Sequence, residues 1–189
     1  MLQPSTVPEP WFSFLRELDN IATEPVRLGC IGGFVVTMLY GLNRPTADVD
    51  VLEIAPLSAA RAFGLVAMQG GELHRKYGVY LDHVAIVQPP YEYESRLQEM
   101  FPGTFRRLHL MALDPYDLAL TKLERNVEKD RNDIRHLARI VPFSLDLLRE
   151  RYQTELRPYL GNPKREDLTL QLWIEAIEEK RAKESGRKL

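Results

Sequence analysis

The sequence predicts an α/β fold, with a sheet flanked by helices over residues 1–113 and an all-helical region, packed on that core, over residues 114–189. Up to residue 113, a short apolar run typical of a buried strand is followed three times by a segment whose apolar residues have helical spacing. From residue 114 onward, only the helical spacing continues. We therefore expect an α/β core that includes an N-terminal helix, followed by a helical C-terminal half.

The elements of the first half follow from local patterns. The spacing of the apolar residues in "WFSFLRELDNIA" predicts a first amphipathic helix. Strands are predicted over 26–31, 48–54 and 79–87, with a candidate fourth over 106–113. Helices are predicted over 34–41, ended by Gly41, and over 56–68, with Ser58 as the N-cap. The basic segment "GELHRKYG" is predicted to be a solvated loop before the third strand, with an RNA or phosphate contact as the alternative.

The second half begins with residues that favour the start of a helix. Asp114 suits the N-cap, and Pro115 suits the first helical position. Helices are predicted over 114–126, 130–141, 144–156 and 165–184. In the last helix an apolar stripe is expected to pack inward; it consists of Leu170, Trp173, Ile174 and Ile177.

Composition excludes several classes of protein. Hydrophobic residues make up 44% of the 189, charged residues make up 28%, and the net charge is -2, as in an ordinary globular protein. The one cysteine, Cys30, lies in an apolar run, which predicts a core position and a reducing compartment. The four histidines have no zinc-site spacing. No apolar run is long enough to span a membrane and no secretion signal is evident, so we expect a cytoplasmic protein.

Two aspartates open the second predicted strand. On a strand, Asp48 and Asp50 project from one face about 6.5–7 Å apart. Two such carboxylates repel each other unless they are solvated or a cation lies between them, and Mg²⁺ or Mn²⁺ is the ion that oxygen ligands of this kind select. The alternative is that both aspartates face water at a strand edge.

Three further features favour a phosphate and metal site. Gly32 and Gly33 end a strand and open a helix, where backbone N–H groups can hold a phosphate, although a glycine pair can also be a simple turn. Arg44 and Thr46 precede the aspartates and suit phosphate binding or a local structural pairing. Asp82 is a carboxylate in an otherwise apolar strand, which calls for a partner. The register of that strand decides whether Asp82 or its neighbour His83 faces the first two aspartates.

This arrangement resembles the nucleotidyltransferase signature of the DNA polymerase beta superfamily. The matching features are a glycine pair, a short helix, R-x-T, and D-x-D with fourteen residues between Gly33 and Asp48. More narrowly, the chain resembles AbiEii-type nucleotidyltransferase toxins of type IV toxin-antitoxin systems. The likeness covers residues 28 to about 140 and includes "DLALTKLERNVEKDRNDIRHL", which is similar to the helical motif of the family.

The resemblance implies a nucleotidyltransferase fold with a mixed sheet, and a role for each matching residue. It implies phosphate binding by Gly32 and Gly33 and metal binding by three catalytic carboxylates, Asp48, Asp50 and Asp82. Nucleotide contacts are implied for Lys122, Asp130 and Asp133. From the residues alone, Lys122 also suits a solvated helix face, and the two aspartates also suit the start of a helix, where they stabilise its dipole.

The implied activity is metal-dependent transfer of a nucleoside monophosphate from a nucleoside triphosphate to a hydroxyl of RNA, such as tRNA, or of a protein. A toxin role with an antitoxin protein as partner follows by the same resemblance. The alternatives are a catalytically inactive nucleotide- or partner-binding module with the same fold, and a structural domain with a solvated acidic edge. Residues 141–189 match no motif that assigns them a role.

Overall fold

Five strands form one mixed sheet within residues 6–186, the part of the chain that the computed structural model describes. The strands are β1 (Val26–Cys30), β2 (Asp48–Ala55), β3 (Tyr80–His83), β4 (Gln98–Met100) and β5 (Leu108–Ala112), and their order across the sheet is β3-β2-β1-β5-β4. The central strand β1 runs antiparallel to β2 and parallel to β5, and β2 runs parallel to β3. The predicted α/β class is confirmed.

Helices flank this sheet in sequence and make up most of the C-terminal region. They are α1 (Trp11–Ile21), α2 (Gly32–Tyr40), α3 (Leu57–Val66), α4 (Glu72–Tyr77), α5 (Pro115–Leu120), α6 (Glu128–Ile140), α7 (Leu145–Arg151) and α8 (Lys164–Gly186). A π-helical turn, Tyr152–Leu156, continues from α7. Among the described residues, no helix combines the length and the apolar character needed to cross a lipid bilayer.

The described chain divides into two compact units. Unit 1 comprises residues 6–87 and 94–114, and unit 2 comprises residues 88–93 and 115–186. In unit 1, Val26, Leu28 and Cys30 of β1 are fully buried, whereas Arg27 between them is exposed and pairs with Glu53. This alternation is that of a strand with one face toward a core, and it confirms the interior position of Cys30.

Unit 2 has a hydrophobic core of its own. Its buried residues come from α5 to α8 and the turns between them: Ala119, Leu120, Leu123, Ile134, Phe143, Leu148, Tyr152, Leu156, Leu170, Trp173, Ile174 and Ile177. The last helix contributes the four residues of the stripe predicted from its sequence, all of them buried. The helical spacing of apolar residues therefore identified the inward face of α8 correctly.

A register shift in the pairing of β1 with β2 shapes the acidic strand. Gly29 pairs with Glu53 but Cys30 pairs with Val51, so Leu52 is an extra residue on β2. The shift keeps Val51 and Ile54 both buried although they are three residues apart. Because it lies beyond Asp50, the alternation at the start of β2 is intact, and Asp48 and Asp50 share a face.

The basic segment 71–78 forms helix α4, so the predicted solvated loop is wrong. Gly71 precedes the helix and Gly78 ends it in the left-handed conformation, with its N–H donating to the carbonyl of His74. Glu72 lies in the first turn and basic residues lie in the last, which suits the helix dipole. Lys76 pairs with Glu17 at 2.6 Å, so this cation has a partner within unit 1.

Several predicted boundaries also differ. The third strand ends at His83 rather than at residue 87, and β4 was not predicted. Ser58 does not cap α3, because its hydroxyl donates to Glu24 at 2.8 Å and the helix begins after Pro56. The helix that starts at Pro115 ends at Leu120 instead of residue 126. Tight turns follow it, since the N–H of Lys122 donates to the carbonyl of Ala119.

Asp19 on α1 joins this helix to the start of β5. Its carboxylate accepts from the backbone N–H groups of Arg106, Arg107 and Leu108 at 3.1, 2.7 and 2.8 Å. Partial burial raises the pKa of Asp19, but the three N–H donors together outweigh it and hold the pKa below its ordinary value of 3.8. The contact therefore stabilises the fold when the carboxylate is ionised.

We expect Asp19→Asn to lower the free energy of unfolding at pH 7 by about 1–3 kcal/mol, since a charged acceptor of three N–H groups is lost. A carboxyl group whose pKa is lower in the folded than in the unfolded state stabilises the fold at pH values above its unfolded-state pKa. This stabilisation is lost as the pH falls from the unfolded-state pKa through the folded-state pKa. The difference between the wild type and the variant should therefore shrink below about pH 4 in urea unfolding series. Asp146→Asn, at a carboxylate that is 96% exposed, is the control. A difference that stays constant from pH 7 to pH 3 would contradict the assignment.

Candidate active site

Three aspartates from two neighbouring strands converge on one face of the sheet in unit 1. In the parallel pairing of β2 with β3, Asp50 lies opposite Asp82 and Asp48 lies opposite Tyr80. One carboxylate oxygen from each of Asp48, Asp50 and Asp82 lies within 4.8 Å of the others. His83 pairs with Val51 instead, and its Nε2 lies 3.2 Å from the carbonyl oxygen of Leu52. The register therefore places Asp82, and not His83, with the first two aspartates.

The glycine turn lies directly against this cluster. The N–H of Ile31, which precedes α2, donates to the carbonyl of Asp50 at 2.9 Å. Gly32 follows with φ +69°, and a Cβ at this position would overlap the Asp50 carboxylate. Glycine is needed here for both its backbone conformation and its lack of a side chain. The N-terminus of α2 is thus held beside the acidic face.

Gly33, Arg44 and Thr46 form the other side of the turn. A Cβ on Gly33 would lie 2.8 Å from the Arg44 guanidinium and 3.8 Å from the Thr46 hydroxyl. The Thr46 hydroxyl donates to Oδ1 of Asp48 at 2.6 Å, which orients that carboxylate. Seven of the residues predicted from sequence are therefore brought together in unit 1: Gly32, Gly33, Arg44, Thr46, Asp48, Asp50 and Asp82.

The electrostatic effect of the cluster is visible in its neighbours. Burial raises the pKa of the Tyr80 hydroxyl, and the charges of Asp48, Asp82 and Asp50 raise it further. Burial also raises the pKa of Cys30, with a smaller contribution from the charge of Asp50. Burial is the larger cause of both shifts, and the aspartate charges add to it, so a further negative charge is disfavoured at these two positions. The site is therefore one that a cation would stabilise.

The donor set fits a hard divalent cation. Carboxylate oxygens are the ligands that Mg²⁺ and Mn²⁺ take in proteins, and Mg²⁺ commonly binds through one or two carboxylates together with substrate phosphate. Asp48 and Asp50 are partly buried and Asp82 is exposed, so the cluster is both anchored and open to a ligand. Two of the three carboxylates come from one strand, which fixes the spacing of their backbone positions.

Tyr80 was missed by sequence reasoning although it lies on the face that carries the aspartates. It occupies the position two residues before Asp82 on β3 and pairs with Asp48. The period-two rule that placed Asp48 with Asp50 would also have placed Tyr80 with Asp82. An aromatic side chain with a hydroxyl beside a nucleotide site can stack on a base or a ribose, which makes Tyr80 a further candidate contact.

The predicted residues of the helical motif lie in unit 2 and contact one another. The Lys122 ammonium lies 2.8 Å from Asp133 and 3.5 Å from Asp130, and all three side chains are buried. Arg125 donates to Asp130 through Nε at 2.9 Å and Nη2 at 2.6 Å. Burial raises the pKa of Asp130, but Arg125, Lys122 and the N–H of Val127 outweigh it and hold that pKa below its ordinary range. These contacts form a buried ion cluster at the start of α6.

A mixed sheet that carries three carboxylates next to a glycine turn and a helix N-terminus is the arrangement that the resemblance to nucleotidyltransferases implied. The chain belongs to a family described as "Nucleotidyltransferase of unknown function (DUF6036)", whose model matches residues 12–181. The predicted enzyme class is thereby confirmed, and a nucleoside triphosphate is the substrate that the class implies. No curated protein and no solved structure matches the chain. The narrower likeness to AbiEii-type toxins stays a prediction.

Gly32→Ala should disrupt the site, because the added methyl group overlaps the Asp50 carboxylate and the backbone has a positive φ. We expect a loss of about 1–3 kcal/mol in the free energy of unfolding from the strained backbone alone. Metal-dependent triphosphate binding, measured by calorimetry, should also be lost. Gly41→Ala is the matched control, because Gly41 has φ +65° but open space around the added Cβ. Equal effects of the two substitutions on triphosphate binding would contradict the close approach of Gly32 to Asp50.

Proposed function

We propose that this protein transfers a nucleoside monophosphate from a nucleoside triphosphate to a hydroxyl group of RNA or of a protein, with Mg²⁺ or Mn²⁺ as the metal. The observation that carries the proposal is the convergence of Asp48, Asp50 and Asp82 beside the Gly32 turn. Three carboxylate oxygens within 4.8 Å of one another repel each other unless they are solvated or a cation lies among them. A nucleotide site accounts for all of these features together.

The reaction is a displacement at the α-phosphorus. The acceptor oxygen attacks phosphorus, a new phosphoester bond forms, and the bond to the oxygen that bridges the α and β phosphates breaks. Pyrophosphate leaves with that bridging oxygen, and the acceptor hydroxyl loses its proton. A divalent cation at this site supplies charge neutralisation of the phosphate oxygens.

The aspartates have distinct positions for these steps. Asp48, oriented by Thr46, and Asp50, held at the Ile31 turn, provide fixed oxygen ligands on β2. Asp82 is the exposed member of the three, on the edge strand of the sheet. We assign it the side of the site that faces the acceptor, where its carboxylate would draw the proton from the attacking hydroxyl.

The glycine turn and its neighbours suit the triphosphate. The backbone N–H groups of Gly32 and Gly33, at the start of α2, would be the donors to phosphate oxygens. The Arg44 guanidinium, which lies against Gly33, offers charge and paired donors to the same group. Positioning by these residues would set the α-phosphorus in line with the acceptor oxygen.

Lys122, Asp130 and Asp133 enter the proposal through the family likeness. A lysine ammonium has three N–H donors, and two of those of Lys122 are directed at Asp133 and Asp130. A contact with the triphosphate would use the third donor. The toxin role, with an antitoxin protein that blocks the site, likewise rests on analogy with AbiEii-type proteins.

The test is a label-transfer assay. The protein is incubated with Mg²⁺, each α-labelled nucleoside triphosphate in turn, and either total RNA or total protein from cells. We expect label from one or more triphosphates in the RNA or protein fraction, and none when EDTA replaces Mg²⁺. A γ-labelled triphosphate serves as the control, since its label leaves with pyrophosphate.

Two outcomes would overturn the proposal in different ways. Tight triphosphate binding without any transfer would identify a nucleotide-binding module that lacks turnover. Transfer that persists in EDTA would exclude the metal role of the aspartates. Co-expression with the neighbouring gene on the chromosome tests the antitoxin relationship, because an antitoxin should restore growth when the protein is toxic.

A further inference from the structure

Unit 2 contains a narrow basic groove between α6 and α8, of about 50 Å³. Arg135 and Arg139 line it from α6, and Lys180, Arg181 and Glu184 line it from α8. Four of these five ionisable residues are cationic, in a chain whose net charge is -2. The groove is therefore a local concentration of positive charge, and its floor consists of the small or apolar side chains Ala138, Ala176 and Ile177.

Within the described part of the chain, one of the four cations has a clear structural task. Arg181 donates through Nη2 to the carbonyl of Phe143 at 2.7 Å and approaches that of Ala138 at 3.5 Å, so it ties α8 to the end of α6. Arg135 donates to the Asn132 side chain at 3.2 Å, and Arg139 lies 3.4 Å from the ring of His136. Those two contacts are within α6 and involve no carboxylate. The charges of Arg135 and Arg139 therefore stay available to an anion.

The spacing of the arginines does not favour the helix by itself. Arg135 and Arg139 are four residues apart on α6, and like charges at this spacing destabilise a helix by about 0.2–0.5 kcal/mol. Lys180 approaches the same groove from α8 and adds to the repulsion. A partner with several negative charges would offset this repulsion, because each cation of the groove would be attracted to the partner.

We propose that the basic groove binds the sugar–phosphate backbone of an RNA acceptor. Guanidinium groups match phosphate oxygens with paired donors, and a row of cations suits the regular charges of a nucleic-acid strand. Glu184, the acid of the groove, can accept a hydrogen bond from a ribose 2′-hydroxyl, which RNA has and DNA lacks. The inference rests on the proposed function for its choice of RNA as acceptor, and it assigns a role to the C-terminal region.

The test measures binding without any nucleotide, by fluorescence anisotropy of a labelled RNA hairpin with a single-stranded 3′ tail. Arg135→Gln/Arg139→Gln should weaken binding roughly tenfold at low salt and reduce the slope of log affinity against log salt by about 2. The matched control is Arg61→Gln/Lys164→Gln, which removes two exposed cations elsewhere and should leave the slope unchanged. Circular dichroism of each variant verifies the fold.

A DNA hairpin of the same sequence and a polyglutamate peptide complete the experiment. We expect wild-type protein to prefer RNA over DNA, and Glu184→Ala to reduce that preference. Three results would each overturn the inference. The first is equal affinity of the wild type for the RNA and DNA hairpins, and the second is an unchanged salt slope in the arginine variant. The third is displacement of RNA by polyglutamate at an equal concentration of negative charge. Label transfer to protein without RNA binding would overturn it while leaving the proposed function intact. RNA binding without any transfer would overturn the proposed function alone.

Discussion

Asp50→Asn should reduce nucleotidyl transfer by a factor of about 10³ or more while the protein remains folded. Asp50 lies at the centre of the site, opposite Asp82 across the strand pair and against Gly32 in the turn. Asparagine keeps the shape of the side chain but removes its charge. Loss of the metal ligand proposed here should cost several kcal/mol of charge stabilisation, and each factor of ten in rate corresponds to about 1.4 kcal/mol.

The same substitution removes one of three mutually repelling charges, which limits its effect on the melting temperature measured without metal. Mg²⁺ should raise the melting temperature of the wild type and not that of the variant, since only the wild type retains the full ligand set. Glu53→Gln is the control on the same strand; Glu53 pairs with Arg27 at 3.2 Å outside the cluster. Retained transfer in Asp50→Asn would exclude this cluster as the reaction centre.

The largest effect on stability is expected from Lys122→Met, which should lower the free energy of unfolding by about 3–5 kcal/mol. Lys122 is 5% exposed, and its partners Asp130 and Asp133 are fully buried. Methionine fills a similar volume but removes the ion pairs that Lys122 makes with the buried Asp133 and Asp130. Urea unfolding measures the loss, with the slope of the transition as a check on two-state behaviour.

Two further variants separate a structural role of Lys122 from a role in ligand binding. Arg125→Gln should cost less than Lys122→Met, since Arg125 is 62% exposed and Asp130 keeps its contact with Lys122. Lys122→Met/Asp133→Asn should recover part of the loss, because the buried carboxylate that lost its ion pair with Lys122 is then neutral. If Lys122→Met costs less than about 1 kcal/mol but abolishes triphosphate binding, the ion cluster is not needed for folding, and the contact implied by the family is supported.

Much of the unit 1 site could be predicted because it depends on short-range rules. Side chains two residues apart on a strand share a face, and this rule was enough to place Asp48 with Asp50. Glycines between a strand and a helix allow a close backbone approach, and Gly32 shows such an approach to Asp50. Residue type and local spacing were sufficient at these positions.

Other features depended on contacts that local patterns do not specify. The basic residues of α4 suggested a solvated loop. The segment nevertheless has a glycine at each end, an acidic residue first and basic residues last, which together indicate a short helix. The helix from Pro115 was predicted too long because its apolar and charged residues continue to Asn126. In the structure the chain turns after Leu120, and Lys122 is directed at a carboxylate eleven residues away.

The sequence by itself determined the α/β class, the glycine turn and the pairing of Asp48 with Asp50, because each follows from residue type and a period of two or 3.6 residues. Only the tertiary structure decided that Asp82 rather than His83 completes the cluster. That choice depends on the register between β2 and β3, where a slip of one residue would turn the other side chain to the site. It also decided that Lys122 is buried, because burial of a charge depends on which carboxylates the fold brings to it.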